Sequence, residues 1–221
     1  MPCDAFTKLF QDWPDNEELS LKMLRLKAIT LLALACMTRP CDLAPHGVFF
    51  DKDTLQVQPL QFTTDQITFN ADGSMSLKFF GIKNDSDRSG FEIKIPKALN
   101  CKADPVACLR CYIDRTAKQR PSSKPVFISL VAPFKGIVSG TIASILNEAI
   151  SLAGLAGQGY SAKSFRPTGA TAAIAANCLP ETAMQIGRWK TKEVFFNRYV
   201  YPNAPEEYTD GVLDYKGLLG Q

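Results

Sequence analysis

Strand-like sequence is concentrated in one block of this chain, roughly residues 55 to 96, and almost everything after it reads as helix. The segments "QITF", "SMSLKFFGI" and "GFEIKIP" are rich in β-branched and aromatic residues, and the turn-forming stretches "NADGS" and "NDSDRSG" separate them. Three short strands joined by tight turns make an antiparallel meander with a polar far tip, and Lys83 stands where the middle strand ends. A sheet of this size cannot enclose a core alone, so helices must supply the rest. The fold expected is α+β, mostly α-helical, with a small three-stranded antiparallel sheet on one side.

Before the sheet, Leu24, Ala28, Leu31, Leu32 and Ala35 recur at helical spacing, behind a capping-box-like start at Asp15 and Glu18. This first helix stops at "MTRPCDLAP", where Pro40 forbids continuation, Arg39 sits at the break, and Thr38 and Asp42 offer capping oxygens. After the sheet, Asp104-Pro105 opens "PVACLRCYIDRTAKQ" and Ser139 opens "GTIASILNEAISLAG", which Gly154 closes. Helical stretches follow over 162–176, in "PETAMQIGRW" and in "TKEVFFNRYV". No repeat and no linker divides the chain, so residues 1–221 are expected to form a single domain.

The seven cysteines are odd in number, and the opening "MPCDAFTKLF" lacks a basic stretch followed by an apolar core, so a reducing, intracellular setting is expected. Cys101, Cys108 and Cys111 lack a fourth ligand nearby, and the one histidine, His46, lies far off; these thiols read as helix-face residues rather than a zinc site. The run "LLALAC" falls well short of the ~20 residues that span a bilayer. A formal net charge of +3 is compatible with a polyanionic partner without demanding one, so charge placement has to carry that argument.

Cations recur where elements end: Arg39 at a helix break, Lys83 at a hairpin tip, Lys163 and Arg166 one turn apart in "SAKSFRPTGATAA", and Arg188 beside Trp189, with Tyr199 and Tyr201 following. Each alone fits an ordinary solvated surface or a packed aromatic. Together they fit phosphate chemistry. Guanidinium forks hold a phosphate and the extra charge of its transition state, a lysine can protonate a departing alkoxide, and a tyrosine amid cations becomes a usable nucleophile. That set needs neither a metal nor a cofactor.

These segments resemble, in order, the motifs of the tyrosine-recombinase catalytic domain, the lambda-integrase-like phage integrase family, which is related to type IB topoisomerases. The resemblance covers about residues 20 to 200. "LLALACMTRPCDLA" is similar to the segment carrying the family's first arginine, which gives Arg39, with Asp42 as its acidic support. "FFGIKNDSDRSGFEIKIP" looks like the β-hairpin whose lysine is the general acid, here Lys83. "SAKSFRPTGATAA" resembles the His-x-x-Arg motif, with Arg166 as the second arginine, and "IGRWKTKEVFFNRYVY" resembles the last motif, with Trp189 where histidine often stands and Tyr199 as nucleophile.

Two departures stand out. Lys163 replaces the usual histidine, as in the topoisomerases; lysine does not shuttle protons near neutral pH unless its pKa is depressed, so Lys163 reads as a phosphate donor. Tyr199 lies ten residues after Trp189, one more than the family commonly shows, which leaves Tyr201 as the alternative nucleophile. Tyr199 is preferred because Tyr201 abuts Pro202, where a helix should already have ended.

The resemblance implies a site-specific recombinase or integrase of a mobile element, which cuts and rejoins double-stranded DNA through a 3′-phosphotyrosine. It further implies a homotetramer on DNA, a monomer when free, and no membrane association. The compartment would be the nucleus in a eukaryote and the cytoplasm otherwise. The helical core-binding domain that precedes the catalytic domain in full-length relatives is expected to be absent, which would make DNA binding weak. The tail, 203–221, carries Val212, Leu213, Leu218 and Leu219, which would dock on a neighbouring protomer, pack on their own core or stay disordered. Two other functions stay open: a domesticated, inactive DNA-binding module, and topoisomerase-like relaxation.

Overall fold

Helix α2, Leu21–Ala35, runs through the centre of the molecule with three later helices packed around it. The computed structural model describes residues 1–45, 47–51, 56–81 and 90–200, with side chains described for all of these except 47–51 and 56–60. Sequence periodicity predicts one apolar face on α2, but the helix is buried on nearly every side: Leu24, Leu26, Ala28, Ile29, Leu31 and Leu32 all lie in the core. Lys27 is buried with them, its Nζ 2.8 Å from Asn16 Oδ1 and 5.7 Å from the centre of the Phe10 ring. Burial lowers its pKa.

The start of α2 differs from the expectation. Ser20 caps it by accepting from the Met23 N–H at 3.3 Å, while Asp15 heads a separate turn whose carbonyl receives the Glu18 and Leu19 amides. A helix absent from the sequence reading, α1 (Asp4–Gln11), precedes it and buries Phe6 and Phe10 against the core.

The expected meander is present as β3 (Ile67–Phe69), β4 (Met75–Phe79) and β5 (Phe91–Ile95), antiparallel in that order. Leu77 pairs with both Ile67 and Ile93, and Met75, Leu77, Phe79, Ile93 and Ile95 form the buried face by strict alternation. "NADGS" makes the first turn, with Gly73 at φ +81° between Asn70 and Ser74. The second turn, and with it Lys83, lies outside the described residues. A two-stranded antiparallel sheet, β1 (Gly47–Asp51) with β2 (Gln56–Leu60), precedes the meander and is not foreseen in the sequence reading; Pro59, opposite Val48, disguises β2 as a non-strand.

The later helices follow their expected signals. Asp104 caps α3 (Pro105–Arg115) through the Val106 N–H at 3.0 Å, and α4 (Ser139–Leu152) ends just before Gly154 at φ +73°. A 3-10 turn, Ala162–Ser164, leads into α5 (Phe165–Ala175), and α6 (Pro180–Gly187) and α7 (Lys192–Tyr199) follow. At Gly169 α5 crosses α2 so closely that a β-carbon would lie 2.3 Å from the Leu34 carbonyl oxygen. A second, smaller core of Met37, Ala170, Ala183, Trp189, Phe195 and Val200 fills the space under α5, α6 and α7, with Tyr199 packed at its edge. None of the helices among the described residues is long and apolar enough to cross a membrane.

Candidate active site

Above that smaller core is a cleft of about 690 Å³ whose wall includes Arg39, Lys163, Arg166 and Tyr199. Three segments far apart in sequence supply these residues: the break after α2, the turn that runs into the start of α5, and the last residue of α7. Thr38, Pro40 and Cys41 continue one side; Ser139, Gly140, Ala143 and Asn147 of α4 form another. Asn147 also fixes the Lys163 turn, its Oδ1 accepting from the Ala162 N–H at 2.8 Å.

Arg39 stands at the start of a 3-10 turn, Pro40–Leu43, where Pro40 has ended the preceding helix. Its amide donates to Asp42 Oδ2 at 2.8 Å, while its guanidinium is 4.0 Å from that oxygen and its side chain keeps 27% of its surface exposed. Arg166 is the opposite case, only 4% exposed. Its two terminal nitrogens donate to the backbone carbonyls of Met37 and Gly187, joining the end of α2 to the end of α6. The guanidinium lies 4.1 Å from the Trp189 ring centre and 5.4 Å from that of Tyr199. Burial, and then the nearby charges of Arg39 and Arg188, hold the Arg166 pKa down at about 10. Its Nε has no hydrogen-bond partner among the described residues.

Lys163 is exposed, although it shares the cleft wall with Arg166. Trp189 is not part of that wall: it lies behind, against Arg166, Phe195 and Tyr199, with its indole N–H unpartnered among the described residues. Tyr199 closes α7, its ring 4.8 Å from that of Trp189 and its carbonyl accepting from Thr171 Oγ1 at 3.4 Å. The alternative nucleophile, Tyr201, and the tail 203–221 lie outside the described residues.

Asp42, expected to support Arg39, meets it through the Arg39 backbone amide and is shared with Arg188. Asp42 is buried and takes Arg188 Nη2 at 2.9 Å on the same oxygen that takes the Arg39 amide. The sequence reading names Arg188 among the boundary cations but gives it no role. A buried carboxylate in "CDLA" needs a buried cation, and an arginine directly after a helix-ending glycine is one signal that could have paired them. Among the described residues, Arg39, Arg166 and Arg188 gather around one carboxylate, Asp42, which leaves an excess of positive charge at the cleft, the condition under which an anion is drawn in.

No family model matches the sequence, and no curated protein matches it. Solved structures do match the fold. XerA recombinase aligns with all of this chain at a TM-score of 0.64 and 14% identity, over 64% of its own length. XerH site-specific recombinase bound to difH substrate, in a pre-cleavage complex, aligns with all of it at 0.62 and 9% identity, over 54% of its length. A lambda integrase(75-356) dimer bound to a COC′ core site aligns with 93% of it at 0.54 and 17% identity, over 62% of its length. The chain therefore has the fold of a tyrosine-recombinase catalytic domain and spans less than two thirds of each of these structures.

Proposed function

We propose that this protein is a DNA strand transferase that cuts and rejoins duplex DNA through Tyr199. The observation that carries the reading is the convergence of Tyr199, Arg39, Arg166 and Lys163 on one cleft. Tyr199 Oη attacks the phosphodiester and gives up its proton to water, the Oη–P bond forms as the P–O5′ bond breaks to leave a 3′-phosphotyrosine, and the 5′ oxygen departs with a proton from Lys83. Arg39 and Arg166 stabilise the charge that builds on the non-bridging oxygens, and Lys163 donates to the same phosphate. The Trp189 N–H, unpartnered among the described residues, and the Arg166 Nε are further donors within that neighbourhood. Phosphodiester bond energy is kept in the phosphotyrosine, so attack by a second 5′ hydroxyl reseals DNA without a nucleotide. The neighbours solved on difH substrate and on a COC′ core site support duplex DNA as the partner.

A suicide duplex, nicked so that the leaving strand diffuses away, tests the reading. A covalent protein–DNA adduct is expected; bound DNA with no adduct overturns it. One observation favours the competing reading, a DNA-binding module without strand transfer: Arg166 already holds two backbone carbonyls, as a structural arginine would. Each terminal nitrogen retains a second N–H, however, so the hold does not exhaust the fork. Exchange between two duplexes with four protomers assembled separates recombination from the topoisomerase-like alternative, in which a monomer relaxes supercoils.

A further inference from the structure

We propose that Arg188 is a positioning residue that keeps Asp42 neutralised and so leaves the Arg39 guanidinium free for the cleft. The inference rests on the strand-transfer reading only for its consequence in catalysis.

Arg188 ends α6 in the left-handed conformation, φ 62° and ψ 45°, a position where glycine is the usual occupant. A long side chain is retained there, almost wholly buried, and reaches an element 146 residues away in sequence. Its Nη2 is 2.9 Å from Asp42 Oδ2, Nη1 is 3.4 Å from the Ile186 carbonyl, and the guanidinium lies 5.0 Å from the Phe79 ring centre. The same left-handed corner serves Arg166, because the Gly187 carbonyl accepts from it and Trp189 stacks on it. A β-carbon on Gly187 would sit 1.7 Å from the Trp189 ring, so the corner admits little else.

A buried carboxylate must find a positive partner. Arg39 is the nearest substitute, its Nη1 already 4.0 Å from Asp42 Oδ2 and its side chain partly exposed. With Arg188 present, Asp42 is satisfied and Arg39 holds the carboxylate chiefly through its backbone N–H. Without Arg188, the Arg39 guanidinium turns inward to Asp42 and leaves the cleft wall.

The test labels arginines with phenylglyoxal and maps the peptides by mass spectrometry, which reads Arg39 accessibility without requiring activity. Arg39 is expected to react in the wild type, to be protected in Arg188→Gln, and to react again in Arg188→Gln combined with Asp42→Asn. Cleavage of the suicide duplex should fall about 100-fold in Arg188→Gln, the scale of a misplaced catalytic group, and recover in part in the double variant, with DNA affinity unchanged. Equal labelling of Arg39 in the wild type and Arg188→Gln, or a double variant worse than the single, overturns the proposal; a purely structural role predicts the latter. Should Arg188→Gln fail to fold, Arg188→Lys decides: its ammonium still neutralises Asp42, so Arg39 must stay reactive, and protection of Arg39 overturns the proposal. Failure of the wild type to form an adduct would sink the strand-transfer reading alone, since labelling still decides the positioning.

Discussion

Trp189 is the residue whose role the geometry most clearly divides. Its ring packs against Phe195, Tyr199 and Arg166, while its N–H is buried without a partner among the described residues. Trp189→Phe keeps most of the packing and removes only the donor. Its melting temperature should change little, whereas suicide-substrate cleavage should slow about 10-fold or more, the worth of one hydrogen bond to a charged group. A fall in both together would reduce Trp189 to a core residue. Arg39, Arg166, Lys163 and Tyr199, which share the cleft wall, stood out in the sequence because each lies at an element end within a segment that resembles a motif of one family, although each alone also fits a surface or packing role. Arg188 did not, because its meaning depends on Asp42, and no local pattern links positions 146 apart.

At the scale of elements, proline and cap signals placed most helices, and failures came where a signal had two readings. Asp15 and Glu18 look like a capping box but form a turn, and Ser20 does the capping. Ser20→Ala should therefore cost about 1 kcal/mol in denaturant melts, and Asp15 owes nothing to the α2 cap. Short α1 carries a readable signal, Phe6 and Phe10 four apart, which its isolation before Trp13 and Pro14 obscured. Gly169 brings α5 onto α2 and so sets how far Arg166 stands from the Arg39 turn. Gly169→Ala gains helix propensity but drives a methyl into the Leu34 carbonyl, so net destabilisation of about 1–3 kcal/mol is expected, with loss of cleavage. An alanine variant as stable and active as the wild type would show that the crossing tolerates a wider spacing.

The whole molecule is a helical body around α2 with a small sheet at one side, and the cleft lies where the break after α2 meets α4, the start of α5 and the end of α7. Its class was readable because strand texture was confined to one block; the β1–β2 pair escaped because Pro59 argues against a strand. With a net charge of only +3, the proposed DNA binding would depend on where cations sit rather than on bulk charge. Binding should fall steeply with salt, and Lys163→Ala should reduce the magnitude of the log–log salt slope by about 1, as expected for one lost phosphate contact. An unchanged slope would remove Lys163 from the phosphate site.

The covalent bond itself tests the account most directly. Wild-type protein trapped on a suicide duplex, digested and sequenced by mass spectrometry, should carry its DNA-derived phosphate on Tyr199, and Tyr199→Phe should bind the same DNA without forming an adduct. An adduct that persists in Tyr199→Phe, with the phosphate on Tyr201, would contradict the assignment of the nucleophile to the arginine-lined cleft.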